Sequence, residues 1–141
     1  MYSWVDKYIG IPFVSGGRDT KGCDCYGLVR LILENEYNYK LPLLTGDYSN
    51  ALVLEETKNL FAKYVPLLAA EKIDSPEEKS VCLIQTKGLS CHVGIWADDG
   101  FIIHSRNKVG SVCEKIDSLR LIGKIMGWYR VCSDYCSIKS I

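Results

Sequence analysis

Apolar positions along the chain change their spacing once, near its middle. Tyr2 to Ile9 has the spacing of a short amphipathic helix, stopped by Gly10 and Pro12. From Cys25 to about Tyr37, the residues Leu28, Leu31, Ile32 and Asn35 recur at intervals of three and four, which predicts a helix that buries one stripe. Leu41-Pro42 closes that region. Residues 49–64 predict another helix, with Ala51, Leu52, Leu54, Leu60 and Phe61 apolar and Ser49 or Asn50 as its cap. Between the first two helices, Ser15 to Gly22 holds three glycines among polar residues and reads as a loop without regular structure. Strand patterns then take over: Val81 to Thr86, Cys91 to Ala97, Phe101 to Ser105, Gly110 to Lys115 and Ile125 to Val131 are short, rich in β-branched and aromatic residues, and separated by turn residues. They predict an antiparallel meander. Helices followed by strands make the fold class α+β.

Composition narrows what such a domain can do. With 141 residues, 48% of them apolar, the whole of 1–141 reads as one domain with a real core and no repeat, low-complexity tract or linker. Seventeen basic residues balance seventeen acidic ones, so no global charge draws the chain to nucleic acid or to a membrane surface. No apolar run approaches the roughly 20 residues that span a bilayer, and Met-Tyr-Ser-Trp-Val-Asp-Lys lacks the basic start and apolar stretch of a signal peptide. Synthesis in the cytoplasm is the expectation, with any export by another route. Seven cysteines, an odd number, fit free thiols better than a disulfide framework. Cys82, Cys113 and Cys132 lie in apolar strand-like runs and read as small hydrophobic filler. Neither Cys23 with Cys25 nor Cys132 with Cys136 has the Cys-x-x-Cys spacing common in zinc sites, so no metal and no cofactor is expected.

One cysteine is placed for chemistry. In Gly-Cys-Asp-Cys-Tyr-Gly-Leu, residues 22–28, Cys25 falls at the first turn of the predicted helix. Unpaired backbone N–H groups and the positive end of the helix dipole favour a thiolate there, below the free value of about 8.5. Asp24 stands where an N-cap belongs, and Gly27 leaves that turn without bulk so that another element can approach. A nucleophilic thiol needs a base, and His92 and His104 are the two histidines. They lie in strand-like segments on either side of Asp98-Asp99-Gly100, which reads as a three-residue hairpin loop. If Ala97 faces Phe101, Gly94 faces His104, and His92 sits diagonally across from His104 on the same face, with α-carbons about 7–8 Å apart. A loop one residue longer or shorter puts the two imidazoles on opposite faces.

Asp-Cys-x-Gly-Leu, then His-Val-Gly-Ile, then Ile-His-Ser, in that order, resembles the NlpC/P60 cysteine peptidases, a papain-like family, over roughly residues 5–131. Gly10-Ile11-Pro12-Phe13, Gly16-Gly17-Arg18-Asp19, Gly-Leu-Val-Arg at 27–30 and Leu41-Pro42 are similar to the phage-tail branch of that family. The resemblance implies a helix carrying the nucleophile packed on a small antiparallel sheet, with Cys25 as nucleophile, His92 as general base and His104 orienting the base. It implies a cysteine endopeptidase acting on peptidoglycan stem peptides, at the bond between D-glutamate and a diamino acid, with phage tail proteins as partners and the cell wall as the place of action.

Chemically the assignment is coherent. His92 takes the thiol proton to give a thiolate–imidazolium pair, and His104 fixes its tautomer without adding a negative charge. The Cys25 backbone N–H would meet the oxyanion. Phe13 stands where many members have a tyrosine near the nucleophile, so the second oxyanion donor falls to Ser15, Tyr8 or Tyr26. Arg18 and Arg106 suit bidentate contact with substrate carboxylates; the other reading of each is a solvated loop residue or an internal ion pair. Trp96 and Trp128 read as core. No aspartate or glutamate is assigned to the catalytic group, which speaks against glycan cleavage. Two rival readings share the site: an amidase or acyltransferase using the same thiol, and a tail-assembly protein that no longer turns over.

Overall fold

The computed structural model of the chain describes residues 1–41, 69–86 and 89–131, so the helix expected over 49–64, together with Cys132 and Cys136, lies outside the described residues. The N-terminal element is shorter than its pattern suggests. It is a single 3-10 turn, Val5–Tyr8, whose N-cap Trp4 makes no side-chain capping bond and which ends at Ile9 in extended conformation. At three residues per turn Val5 and Tyr8 fall on one side and are buried, and Gly10 at φ +87° then redirects the chain.

The glycine-rich stretch is also more ordered than expected. Arg18–Asp19 (β1) and Gly22–Cys23 (β2) form a miniature antiparallel hairpin, closed by the Lys21 amide donating to Asp19 Oδ1 at 2.9 Å. Glycine permits this pairing: a Cβ on Gly17 would lie 2.3 Å from the Gly22 carbonyl oxygen. Asp24 then caps Cys25–Tyr37 (α1), which occupies the predicted range. Asn38 ends it in the left-handed conformation, its amide bonded to the Glu34 carbonyl at 3.1 Å. The buried face is wider than the predicted stripe, running through Leu28, Val29, Leu31, Ile32 and Leu33, while Asn35 is exposed.

Six strands build one antiparallel sheet: Ala69–Ile73 (β3), Val81–Thr86 (β4), Leu89–Asp98 (β5), Phe101–Arg106 (β6), Gly110–Lys115 (β7) and Ile125–Val131 (β8), in the order β3-β8-β4-β5-β6-β7. The expected meander holds for β4 to β7. The last strand departs from it, returning to pair with β4 and to carry β3 on its outer side. The connection after β7 explains the return. Leu121 within it is buried with Cys82, Ile84 and Ile102, so this stretch covers the far face of the sheet on its way back. Trp96 and Trp128 flank that second cluster edge to face, ring centroids 5.5 Å apart.

The opposite face holds the main core. Alternation along β5 and β6 sends Val93, Ile95, Ala97 and Ile103 into one cluster with Leu28, Ile32 and Leu33 of α1. Residues 10–11 shield the β7 edge: the Gly10 amide bonds the Ser111 carbonyl and the Ser111 amide bonds the Ile11 carbonyl, each at 2.9 Å. Among the described residues the result is α+β, one α-helix against a small antiparallel sheet, as the sequence implied.

Two glycines give contrasting expectations. A Cβ at Gly27 would stand 2.1 Å from the Gly17 carbonyl oxygen, so Gly27→Ala forces the helix off the β-hairpin and should cost about 3 kcal/mol, the upper end for overpacking. At Gly100 nothing lies within 4 Å, so Gly100→Ala bears only the left-handed penalty at φ +83°, about 1 kcal/mol. Urea unfolding of the two variants measures the difference.

Candidate active site

The helix start that presents Cys25 is organised by one buried carboxylate. Asp24 is completely buried; its Oδ1 accepts from the Gly27 amide at 2.8 Å and from Arg18 Nη1 at 2.9 Å, and its Oδ2 accepts from the Gly16 amide at 2.9 Å. The cap therefore also ties the glycine loop and β1 to α1. Arg18 completes the arrangement by donating to the Gly17 carbonyl at 2.7 Å and lying over the Tyr26 ring, its side chain 8% exposed. Of its two readings, the internal ion pair is present in the structure, with Asp24. Ser15 is exposed on the adjoining turn.

Cys25 is itself buried, at 8% exposure. Its neighbour in sequence, Cys23, is inert by environment: burial, with the Asp24 charge, pushes that thiol up to about 12. Burial likewise raises Cys82 to about 12, in keeping with its reading as filler. Tyr8 cannot act beside the helix start. Its hydroxyl donates to Glu36 Oε2 at 2.5 Å, near the C-terminal end of α1 and some 16 Å along the helix from Cys25.

The two histidines meet. His92 Nε2 and His104 Nδ1 are 2.8 Å apart, and the ring centroids 5.1 Å. The register around them is the one anticipated, with Ile95 opposite Ile103 and a Cβ on Gly94 pointing 3.3 Å from the His104 Cβ. The turn differs: Asp98, not Ala97, pairs with Phe101, and a register shift between Trp96 and Asp98 absorbs the extra residue. That bulge keeps both imidazoles on one face although the loop is one residue shorter than predicted. Strand β6 is also pinned to the turn before Cys25, because Ser105, fully buried, donates from Oγ to the Cys23 carbonyl at 3.1 Å.

A carboxylate absent from the sequence reading completes the line. His104 Nε2 lies 2.9 Å from Glu114 Oε1, while Glu114 Oε2 accepts from Ser118 Oγ at 3.0 Å and from Arg120 Nε at 3.1 Å. The expectation that no acidic side chain joins the group is overturned. A signal existed in the chain: with β6 and β7 paired as a hairpin, Ile102 faces Glu114 and His104 faces Val112, which sets the one acidic residue of β7 diagonal to His104. Ser118 and Arg120 follow the strand and gave no such signal.

Charge in this site is uneven. Burial, aided by the neighbouring His104 and Arg106, pushes His92 down to about 3. Burial also lowers His104, against the pull of Glu114. Burial would raise Glu114, but hydrogen bonds from His104, Arg120 and Ser118 outweigh it and hold the carboxyl below its ordinary range. At neutral pH two neutral imidazoles therefore stand in line with an anion. The thiolate–imidazolium pair expected from the sequence needs a charged His92, which the lowered value opposes. Among the described residues, no group of three His, Cys, Asp or Glu side chains is placed to hold a metal ion.

A model of the NlpC/P60 family matches residues 10–121. Among solved structures, the chain is similar to the NlpC/p60 domain of the peptidoglycan hydrolase SagA, with a TM-score of 0.60 at 19% identity, covering 91% of this chain and 93% of that one. It is similar to an NLP/P60 family protein described as similar to lipoprotein from Staphylococcus aureus, with a TM-score of 0.58 at 19% identity over 89% of this chain, and spans 38% of that protein. NlpC1 from Trichomonas vaginalis gives a TM-score of 0.60 at 15% identity, 89% of this chain aligning with 41% of that one. These likenesses establish the papain-like fold. Among curated proteins nothing matches the chain.

Two measurements test the site as architecture. Asp24→Ala leaves the Arg18 guanidinium buried without its partner and should destabilise the protein by about 3–5 kcal/mol in urea unfolding. The histidines make stability fall with acid. Their folded-state values lie below the ordinary 6.5, so the unfolded chain binds protons that the folded chain refuses; the stability of the neutral pair is full above 6.5 and is lost as the pH falls toward about 3 for His92. Between pH 7 and 5, Tm should drop by roughly 5 °C in the wild type and by much less in His92→Asn.

Proposed function

The chain belongs to the NlpC/P60 family, and on that premise we propose that it is a cysteine peptidase that cuts the peptide stems of peptidoglycan. The observation that carries the reading is the 2.8 Å bond between His92 Nε2 and His104 Nδ1, on strands tied to the helix start that bears Cys25. That bond commits one nitrogen of His92 and leaves Nδ1 to serve as base. In this mechanism Cys25 Sγ attacks the peptide carbonyl while His92 Nδ1 takes the thiol proton, and the oxyanion is met by the Cys25 backbone N–H. His92 then returns the proton to the leaving amine, and water, deprotonated by the same nitrogen, hydrolyses the thioester. A helix N-terminus favours the thiolate as it forms.

Substrate class follows from family membership and from charge beside the site. The Arg106 guanidinium is near enough to both histidines to lower them, and a peptide stem rich in carboxylates offers it a counter-charge. Cleavage between D-glutamate and a diamino acid, and attachment to a phage tail, are the finer parts of the proposal. The bond rests on the family resemblance alone, and the tail attachment is supported by the likeness of Gly10 to Phe13, Gly16 to Asp19 and Gly27 to Arg30 to the tail branch.

Incubation with purified wall fragments should release products cut within the stem peptide and leave the glycan intact, as mass spectrometry of the digest reports. Cys25→Ala and His92→Ala should each lower kcat by at least about 1,000-fold, whereas Arg106→Ala should act mainly on KM. The acid limb of kcat/KM should lie below the ordinary histidine value of 6.5, since the base is held neutral. Release of whole stem peptides from the sugar would point instead to an amidase, and full activity in Cys25→Ala would overturn the mechanism.

A further inference from the structure

Glu114 sits across β6 and β7 from the base and touches neither Cys25 nor His92 in any hydrogen bond, yet its position bears on the proton of His92. We propose that Glu114 is a positioning residue that dictates, through His104, which nitrogen of His92 carries a hydrogen. The proposal rests on the reading of His92 as the base.

Donors and acceptors along the line are fixed from its charged end. An ionised carboxylate can only accept, so the nitrogen facing Glu114 Oε1 at 2.9 Å, His104 Nε2, must carry a hydrogen. A neutral imidazole has one N–H, so His104 Nδ1 is then an acceptor. The nitrogen 2.8 Å from it, His92 Nε2, must therefore donate, which leaves His92 Nδ1 with a lone pair. That is the tautomer a general base needs. Reversing the first bond reverses every bond in the line: if Glu114 were a donor, His104 would donate through Nδ1 to His92 Nε2, and His92 would carry its hydrogen on Nδ1, unable to accept one from a thiol. Desolvation of both imidazoles, His104 buried and His92 half-buried, favours their neutral forms, so the line has one mobile polarity and not two charges.

The remaining contacts of Glu114 make a reversal feasible. Arg120 Nε has only a hydrogen to offer and holds Oε2 at 3.1 Å, with Ser118 Oγ at 3.0 Å on the same oxygen. In Glu114→Gln the side-chain oxygen stays with Arg120, and the amide nitrogen is turned toward His104 Nε2. The substitution keeps the shape of the site and inverts its polarity.

The test is nitrogen NMR of the imidazoles in 15N-labelled full-length protein, read beside wall-fragment hydrolysis. Wild-type protein at pH 7 should show both His92 and His104 protonated at Nε2; Glu114→Gln should move both hydrogens to Nδ1 and lower kcat by at least about 100-fold with KM little changed. Glu114→Asp, which keeps the anion, should retain the wild-type tautomers and most of the activity. A Nδ1 hydrogen on either histidine of the wild type overturns the proposal, a measurement that needs no folded variant. An unchanged His92 tautomer in folded Glu114→Gln overturns it as well. If the tautomers move as stated and neither protein cuts wall fragments, tautomer control stands and the peptidase reading fails, so the two failures are distinguishable.

Discussion

Everything the active site requires is hung on a carboxylate removed from water. Asp24 has no solvent exposure, and an ion in that position is tolerable because donors converge on it, among them the Gly27 and Gly16 amides and the Arg18 guanidinium. Each donor belongs to a different local structure: the first turn of α1, the glycine loop, and β1. One side chain therefore caps the helix, closes the loop and seats the hairpin. The same constraint explains the glycines. Gly17 and Gly27 are in such close approach that a side chain on either would break the contacts that satisfy Asp24. Packing and electrostatics at this point are a single condition, and the helix start that carries Cys25 meets it.

The second dependency runs across the sheet. Strand β5 supplies His92, β6 supplies His104 and β7 supplies Glu114, so the hydrogen-bonded line is perpendicular to the chain and exists only while three strands keep their register. A bulge near Asp98 adjusts the first pairing, and Ser105 locks β6 to the Cys23 carbonyl beside the start of α1. In such a low-dielectric setting neutral imidazoles are favoured over charged ones, which makes hydrogen-bond polarity, more than net charge, the property the fold controls. Two arginines near this line do different work: Arg120 is bound to Glu114, and Arg106 adds a positive charge near the imidazoles.

What the sequence by itself determined was whatever short-range chemistry fixes. The bounds of α1 could be read because Asp24 caps it and apolar spacing sustains it; β4 to β8 could be read because alternation and turn residues mark them. The face shared by His92 and His104 followed from period-two geometry, and family membership from ordered motifs. Tertiary structure decided the rest. That Arg18 pairs with Asp24 depends on where a loop folds back, which no local spacing encodes. The 3-10 turn at Val5–Tyr8 and the Arg18–Asp19 hairpin strand arise from contacts that overrule local propensity, and the return of β8 to β4 follows from Leu121 seeking the far face of the sheet. Glu114 was hidden for the same reason. Ten residues separate it from His104, and only strand pairing, with Ser118 and Arg120 brought round behind it, turns one more acidic residue into the end of a proton-ordering line.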